Sequence, residues 1–403
     1  MSNSLQGWLK LLESRHPTEI DLGLERVGDV FSRLAFVRPA PRIITVGGTN
    51  GKGSCVAFLE AMLLAAGKTV GAYTSPHLLR FNERVRINGH SASDEQFCRA
   101  FEQVEVARGD VSLSYFEFTT LAAFVVIAEA GVDVALMEVG LGGRLDAVNL
   151  LDADISIITS IDLDHQDWLG DTREAVAVEK LGIARAGKPL LVGEQQLPIN
   201  FESVVNEIRA ASCYLGRDFQ YPSELPQPSL PLPSVACAIK AAEILNISLS
   251  VDTKARLVQE TGLSGRFQRF SVNGIDLVLD VAHNPAAAAM LAQKMVANDF
   301  NGCTAVTAMM ADKDIDGVLD ILTPGVGKWV VCDLPGNQRA ASAELLAGKL
   351  TDHGSSPLIA GSVCDALDNL LATGQEGDRV LVFGSFFTVA AALEWLQQRG
   401  ITL

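Results

Sequence analysis

The stretch Thr45-Val-Gly-Gly-Thr-Asn-Gly-Lys-Gly-Ser54 decides the fold, because it lies between a β-branched run at residues 42–46 and a helical pattern at residues 54–66. Its glycines let backbone N–H groups turn towards one anion, and the helix N-terminus adds its dipole. Its lysine supplies a mobile charge for phosphates. Two departures from the strict Walker A pattern are Val46, in place of the first glycine, and Gly53, inserted after the lysine. The stretch predicts a P-loop that binds a nucleoside triphosphate.

Short apolar strands alternate with helical patterns along the rest of the chain. In the first part we predict strands at residues 68–73, 132–139 and 154–161, and helices at residues 119–130 and 173–186. A Pro-rich loop at residues 221–233 leads into a helix at residues 234–245. A second series has strands at residues 275–280, 304–310, 328–333 and 379–383, and helices at residues 285–297 and 388–398. This alternation predicts an α/β fold with parallel, doubly wound sheets, divided near residues 262–266.

The composition limits the class of protein. Of 403 residues, 48% are apolar and 20% charged, which allows two domains with large cores. Acidic residues outnumber basic ones 48 to 32, and the net charge of −16 argues against binding to nucleic acid. No apolar run reaches the roughly 20 residues of a membrane span. The seven scattered cysteines indicate reduced thiols, so we expect a cytoplasmic protein, and a monomer because no exposed apolar repeat is apparent.

Polar side chains follow the predicted strands, at the end where open α/β sheets bind ligands. Glu138 ends one strand, and Asp162, Asp164 and His165 follow the next. Carboxylates suit Mg²⁺, whereas His165 is open to two interpretations, a metal or phosphate ligand and a surface residue at a helix start. Lys180 lies in an amphipathic helix and, from its own pattern, is a surface lysine.

The second series carries a further polar group of residues. Asp280 ends a strand and His283 lies in the following loop. Asn284 is placed to cap the next helix, with Pro285 in its first turn. At the predicted domain junction, Arg266 offers a guanidinium that suits phosphate.

Several motifs occur in a characteristic order from about residue 15 to the C-terminus: Ile20-Asp-Leu-Gly-Leu-Glu-Arg26, Gly48-Thr-Asn-Gly-Lys-Gly-Ser54, Thr74-Ser-Pro-His-Leu78, Arg80-Phe-Asn-Glu-Arg84, Phe116-Glu-Phe118, Glu138-Val-Gly-Leu-Gly-Gly-Arg-Leu-Asp-Ala147, Asp164-His-Gln-Asp-Trp-Leu-Gly170, Glu179-Lys180, Gly265-Arg-Phe-Gln268 and Asp280-Val-Ala-His-Asn-Pro285. Together they resemble the folylpolyglutamate synthase family of the Mur-ligase superfamily, in particular its bacterial bifunctional members. The resemblance implies a P-loop, Mur-ligase-type domain at residues 1–265 and a smaller, Rossmann-like glutamate-ligase domain at residues 266–403, with ATP between them.

The resemblance also implies roles for individual residues. The positions implied for ATP are Gly48, Thr49, Asn50, Gly51, Lys52, Gly53, Ser54, Ser234, Arg266, Asp280 and His283, with Ser234 standing where the family commonly has Asn. The positions implied for one or two Mg²⁺ ions are Ser75, Glu138, His165 and Lys180, the last as a carbamate formed with CO₂. The implied catalytic residues are Lys52, His165 and Lys180. The positions implied for the pterin substrate and other substrates are Ile20, Asp21, Leu22, Ser114, Tyr115, Phe116, Glu117, Leu145, Asp146, Ala147 and Ser385.

The implied activity is ATP-dependent addition of L-glutamate to dihydropteroate and to the γ-carboxyl group of reduced folates, through an acyl phosphate. Alternatives are a monofunctional folylpolyglutamate synthase, a non-ligase P-loop ATPase and a folate-binding module. A Mur ligase that acts on a nucleotide-linked peptide needs a further N-terminal domain of about 100 residues. The P-loop here begins at residue 47, which leaves too little chain for that domain.

Overall fold

The structure is a computed structural model that describes residues 4–15, 21–36 and 38–402. The chain divides into two compact units, Met1–Thr261 and Gly262–Leu403. Within the described ranges, no helix has both the length and the apolar character that crossing a bilayer demands. The seven cysteines are free thiols, as their scattered positions predict.

The first unit is an eight-stranded sheet flanked by helices. Its helices, over the described residues, are α1 (Leu5–Arg15), α2 (Glu25–Phe31), α3 (Lys52–Ala65), α4 (Asp94–Arg108), α5 (Tyr115–Ala130), α6 (Gln166–Leu169), α7 (Arg173–Leu181), α8 (Phe201–Ile208), α9 (Leu232–Ile244) and α10 (Val251–Glu260). Its strands are β1 (Arg42–Gly47), β2 (Val70–Tyr73), β3 (Val85–Ile87), β4 (His90–Ser91), β5 (Val134–Glu138), β6 (Ile155–Ile158), β7 (Pro189–Val192) and β8 (Ala211–Tyr214).

The strand order β4-β3-β2-β5-β1-β6-β7-β8 places β1 near the centre of the sheet. Six strands, adjacent in the order β2, β5, β1, β6, β7 and β8, are parallel to one another. At the edge next to β2, β3 pairs antiparallel with β2, and β4 pairs antiparallel with β3. Central strands β5, β1 and β6 are buried along almost their whole length, as expected for parallel strands covered on both faces. Their carboxyl ends therefore meet at one edge, where the loops that follow them lie side by side.

The second unit is a six-stranded sheet with the order β13-β12-β11-β14-β10-β9. Its strands are β9 (Gln268–Val272), β10 (Ile275–Asp280), β11 (Cys303–Thr307), β12 (Val326–Cys332), β13 (Leu358–Ala360) and β14 (Arg379–Phe383). Its helices are α11 (Pro285–Ala297), α12 (Ile315–Leu322), α13 (Ala343–Asp352), α14 (Val363–Thr373) and α15 (Phe386–Gln398). All its strands are parallel except β9, which pairs antiparallel with β10. The predicted α/β fold class is confirmed.

The predicted end of one helix is wrong. The pattern predicts a helix over residues 173–186, but α7 ends at Leu181 and Gly182 is its C-cap. A Cβ at Gly182 would lie 2.6 Å from Arg144 Cα, so this glycine fits closely against a neighbouring loop. The close approach requires a residue without a side chain at position 182, and glycine does not favour continuation of the helix.

Four helices, α3, α5, α9 and α15, begin earlier than the pattern predicts, and in two of them a serine caps the helix. α5 begins at Tyr115 because the Ser114 hydroxyl accepts a hydrogen bond from the Glu117 amide, while the Glu117 carboxylate accepts one from the Ser114 amide. α15 begins at Phe386 because Ser385 accepts from the Thr388 amide. The predicted cap at Asn284 is confirmed, since its side chain accepts from the Ala287 amide at 2.9 Å.

Candidate active site

The glycine loop after β1 packs directly on the residues that follow β6. A Cβ at Gly48, whose φ is +143°, would overlap the Thr159 side chain. The Thr49 amide donates to the Ser160 carbonyl and the Asn50 amide donates to the Ser160 hydroxyl, each at 2.9 Å. These contacts hold the loop in place but occupy two of its N–H groups. The anion-binding donors are therefore those further along, at the start of α3.

The start of α3 has the geometry of an anion site. Gly51, with φ of +86°, is the N-cap, and Lys52, Gly53 and Ser54 form the first turn. N–H groups in a first turn have no acceptor within the helix and point along its axis with the positive end of its dipole. The Lys52 ammonium lies over the same loop and donates to the carbonyls of Gly48 and Thr49 at 3.0 and 3.2 Å.

Ser234 supports this loop from α9. Its hydroxyl, buried in the first turn of α9, donates to the Gly51 carbonyl at 2.9 Å. A Cβ at Gly51 would overlap the same hydroxyl oxygen. The residue predicted to contact ATP therefore also shapes the P-loop backbone.

The end of β5 brings a buried carboxylate to the edge of the sheet that carries the loop. Glu138 pairs in register with Val46, the second-last residue of β1. Its carboxylate accepts from the Ser75 amide at 3.1 Å, so two of the predicted metal positions are adjacent. The hydroxyl of Ser54, at the start of α3, is buried without a hydrogen-bond partner, and a hydroxyl oxygen is a ligand type that suits a hard cation.

His165 lies beyond β6 and is the N-cap of the short helix α6, with a left-handed φ of 52°. Its amide donates to the Asp164 side chain at 2.9 Å. In the part of the chain that the structure describes, no three His, Cys, Asp or Glu side chains are grouped so that they could hold a metal. The predicted metal positions include only two such residues, Glu138 and His165, so a metal there would also need the Ser75 hydroxyl and a modified Lys180.

The local sequence pattern predicts that Lys180 lies on the surface. This prediction is wrong, because the side chain is buried and only 3% exposed. It shares the inward face of α7 with Val176 and Ala177, four and three residues earlier. Burial, helped by the positive charge of Lys52, lowers the pKa of Lys180 to about 7, although nearby aspartates oppose the shift. The i−3 and i−4 apolar neighbours were the sequence signal for this burial.

Three of the predicted substrate positions of the first unit, Asp21, Ser114 and Glu117, belong to one hydrogen-bond network with Arg26. Ile20 lies outside the described residues. Arg26 donates to both carboxylate oxygens of Glu117 at 2.8 and 2.9 Å and to Asp21 at 2.7 Å. The Ser114 amide also donates to Glu117, at 2.7 Å. The Glu117 carboxylate is therefore already bound by Arg26 and the Ser114 amide. The sequence analysis missed Arg26 as its partner, because nothing near Arg26 in the sequence indicates an ion pair with Glu117.

Asp146 is enclosed by the glycine segment that follows β5. Its carboxylate accepts from the amides of Leu141 and Val148 at 2.8 and 2.9 Å. Burial raises the pKa of Asp146 to about 6, against the effect of these hydrogen bonds. A Cβ at Gly140 would overlap the ring of Phe116 and lie 3.3 Å from the Asp146 carboxylate, so residues of both predicted substrate segments, 114–117 and 145–147, lie beside this glycine.

The predicted positions of the second unit meet around Phe386, which sequence reasoning missed. Asp280 and Phe383 are paired in register at the ends of β10 and β14. The guanidinium of Arg266 lies 5.3 Å from the centre of the Phe386 ring, and the imidazole of His283 lies 6.2 Å from it. Ser385, immediately before Phe386, is the N-cap of α15.

Hydrogen bonds fix the orientation of these groups. Asp280 accepts from the amides of Phe267 and Ala282 at 2.8 and 2.9 Å, and burial raises its pKa. His283 Nδ1 lies 2.8 Å from the Val281 carbonyl. Since a carbonyl accepts only, Nδ1 carries the proton in this contact. The second unit therefore presents a guanidinium, an imidazole and a buried carboxylate at one edge of its sheet.

A P-loop unit followed by a Rossmann-like unit, each with polar groups at the carboxyl ends of its strands, defines a ligase of the Mur type. The Mur ligase middle domain matches residues 46–192, and the Mur ligase, glutamate ligase domain matches residues 265–386. Together these matches extend over both compact units.

Sequence similarity to known proteins identifies the family within this class of ligase. The chain is 41% identical to a dihydrofolate synthase/folylpolyglutamate synthase of Escherichia coli (strain K12), over 99% of this chain and 97% of that protein. It is 38% identical to the Haemophilus influenzae protein of the same name, over 96% and 97% of the two chains. The chain belongs to the dihydrofolate synthase/folylpolyglutamate synthase family, as its motifs predict.

The fold is also similar to solved structures of this family. E. coli FolC in complex with DHPP and ADP superposes with a TM-score of 0.93 at 41% identity, covering 98% of each chain. The Yersinia pestis bifunctional folylpolyglutamate synthase/dihydrofolate synthase, complexed with AMPPNP and Mn ion, has a TM-score of 0.91 at 42% identity, again covering 98% of each chain.

We predict that Ser234→Ala loosens the P-loop, because the Gly51 carbonyl loses its buried donor. A neutral hydrogen bond contributes about 1 kcal/mol, so local opening should become roughly five-fold more frequent. Hydrogen–deuterium exchange of peptides covering residues 48–54 measures this. Ser229→Ala, at an exposed position of the Pro-rich loop, is the control. Equal exchange in the two variants would show that Ser234 does not support the loop.

Proposed function

We propose that this chain is an ATP-dependent amide ligase that adds L-glutamate to dihydropteroate and to the γ-carboxyl group of reduced folates. The observation that carries the proposal is family membership over the full length of both units. The E. coli relative carries both activities in its name, and its structure holds DHPP and ADP. The P-loop geometry of the first unit supplies the nucleotide site that such a ligase requires.

In this proposal the first turn of α3 and Lys52 bind the β- and γ-phosphates of ATP. Support comes from the first-turn N–H groups, from the ammonium above the loop, and from the ADP and AMPPNP of the related structures. In the second unit, Arg266, Asp280 and His283 are the proposed nucleotide contacts. Their support is the grouping of a guanidinium and hydrogen-bonding groups at one sheet edge.

The proposed metal is Mg²⁺, in one or two sites. Its proposed ligands are Ser75, Glu138, His165 and Lys180. The Yersinia pestis relative was solved in complex with AMPPNP and Mn ion. The residues fit a hard cation, because Glu138 is a buried carboxylate and the Ser54 hydroxyl is buried without a partner. When bound, the metal would neutralise the charge of the phosphates.

Lys180 is the proposed site of carbamylation. Only a neutral amine adds CO₂, and burial favours the neutral amine. The product is a carboxylate at the end of a long side chain, which is a ligand for Mg²⁺, whereas an ammonium is not. The modification would change the side chain from a cation to an anion next to Lys52.

The proposed chemistry has two steps. A carboxylate oxygen of the substrate bonds to the γ-phosphorus while the bond from that phosphorus to ADP breaks, giving an acyl phosphate. The glutamate nitrogen then bonds to the acyl carbon, loses a proton, and inorganic phosphate leaves. Both reacting groups in the first step are anionic, so Lys52 and the α3 amides must hold the phosphates and offset their charge.

The pterin substrate is proposed to lie along Asp21, Leu22, residues 114–117 and residues 145–147. Support comes from Phe116 and Asp146, which both lie beside Gly140, and from the E. coli relative, whose structure holds DHPP. Glu117 is proposed to act by holding Arg26 and the start of α5 in position. For L-glutamate, the proposed contact is Ser385 at the start of α15.

We expect ADP release to depend on a pterin carboxylate. Purified protein with Mg²⁺-ATP and L-glutamate should release ADP with dihydropteroate and, in a separate reaction, with a reduced folate. Lys52→Ala should abolish both reactions, because the phosphates lose their mobile cation, and Lys10→Ala on the exposed face of α1 should leave both intact. ADP only with the reduced folate would identify a monofunctional enzyme. ADP without dependence on either carboxylate would identify an ATPase and refute the ligase.

A second expectation concerns the carbamate. Lys180→Ala should lose most of its turnover, and short carboxylates such as acetate should restore part of it by occupying the ligand position. Measuring ADP release against acetate concentration for Lys180→Ala and for Lys52→Ala checks this, because acetate cannot replace a cation. Wild-type turnover of Lys180→Ala without acetate would rule out the carbamate role.

A further inference from the structure

Arg84 is a buried cation without a carboxylate partner. It ends the helical turn Phe81–Arg84 and is only 9% exposed. Its Nε donates to Nδ1 of His77 at 2.9 Å, and among the described residues no carboxylate forms an ion pair with it. Other arginines of the unit differ, since Arg86 pairs with the buried Glu60 at 2.7 Å and Arg26 pairs with Glu117 at 2.8 Å.

The surroundings of Arg84 leave one edge of the guanidinium for a ligand. Its central carbon lies 5.4 Å from the centre of the Phe81 ring and 5.7 Å from that of Tyr115. These rings contact the cation, while Nε is taken by His77. The two terminal amino groups remain, and they form the planar fork that matches a carboxylate.

His77 adds a donor of known orientation. An arginine Nε always donates, so His77 Nδ1 accepts and carries no proton. The imidazole proton is therefore on Nε2, and the ring is neutral in this contact. The site consists of a cationic fork, a neutral imidazole and two aromatic rings, which is a set suited to a carboxylate on an organic molecule.

The location connects this site to the substrate. Tyr115 belongs to the segment 114–117 proposed to bind the pterin, and His77 follows the proposed metal position Ser75 by two residues. The site is held in place from behind, because the Arg84 carbonyl accepts from the Thr74 amide at 2.9 Å. The Thr74 hydroxyl accepts from Arg86 at 3.2 Å, which is paired with Glu60 of α3.

The two proposed substrates differ in their carboxylates. Dihydropteroate has one, and it is the group that reacts. A reduced folate has two, the reacting γ-carboxylate and the α-carboxylate of the same glutamyl group. A fork that donates to both oxygens of a carboxylate stabilises their negative charge and makes them weaker nucleophiles, so Arg84 suits the carboxylate that does not react.

We propose that Arg84, with His77, binds the α-carboxylate of the glutamyl group of reduced folates and thereby determines specificity for the second of the two reactions. This inference rests on the proposed function. It assigns a substrate-binding role that dihydropteroate does not use, so the two activities of the chain become separable at one side chain.

The test compares the KM for a reduced folate with that for dihydropteroate in the wild type, Arg84→Met and Arg80→Met, an exposed arginine of the same segment. Loss of charge-assisted hydrogen bonds should raise the KM of Arg84→Met for the reduced folate about 10- to 100-fold. Its KM for dihydropteroate should stay within about three-fold, as should both values for Arg80→Met. An equal rise for both substrates, or no rise for either, would overturn the assignment.

A reduced folate whose α-carboxylate is converted to an amide tests the wild type itself, so the test does not depend on folding of a variant. The wild type should bind it about 10- to 100-fold more weakly than the parent compound, and Arg84→Met should not distinguish the two. A wild type that uses both compounds equally well refutes the α-carboxylate role but leaves the ligase intact. A wild type without carboxylate-dependent ADP release refutes the proposed function instead.

Discussion

The contact between the glycine loop after β1 and the residues after β6 is the interaction on which the site depends. Gly48 lies so close to Thr159 that no side chain fits between them. The amides of Thr49 and Asn50 donate hydrogen bonds to Ser160. The Thr49 hydroxyl also forms hydrogen bonds with the backbone of Asp162. Because the loop is fixed to the neighbouring strand end, α3 begins at a defined place with its first-turn amides directed at one point.

The net charge of the chain is −16, so a site for anionic ligands needs positive groups close to it. A triphosphate and a carboxylate are both anions, and the average surface of the chain repels them. Each unit contains local positive groups, namely the start of α3 with Lys52 in the first and Arg266 in the second, and these are the groups proposed to bind phosphate. Buried acids nearby, Glu138 above all, suit a divalent cation that would cancel the rest. The acidity of the chain therefore suits binding of metal-bound nucleotide.

Sequence alone predicts those parts of the fold and site that have local signals. The glycine loop, the alternation of strands and helices, and the Asn284 cap all depend on residues within one turn or loop of each other. The start of α5 was missed although Ser114 and Glu117 form a capping box, so that signal was present and unused. The burial of Lys180 also had a signal in Val176 and Ala177, but the charge of the lysine outweighed it.

Other features have no local signal. Arg26 pairs with Glu117 across 91 positions of the chain, and Arg86 pairs with Glu60 from another element. In sequence, Arg84 and Arg86 are equivalent arginines on either side of Val85. Only the fold distinguishes them, because it places a carboxylate beside one and two aromatic rings with an imidazole beside the other.

In the proposed reaction, a bound substrate carboxylate attacks the γ-phosphate of ATP. Dihydropteroate labelled with ¹⁸O in both carboxylate oxygens tests it most directly, with mass spectrometry of the inorganic phosphate released in the presence of L-glutamate. We expect one ¹⁸O atom in each phosphate, since the oxygen that attacks phosphorus leaves with it. Unlabelled phosphate would show that water attacks the γ-phosphate instead, and would refute attack by the carboxylate.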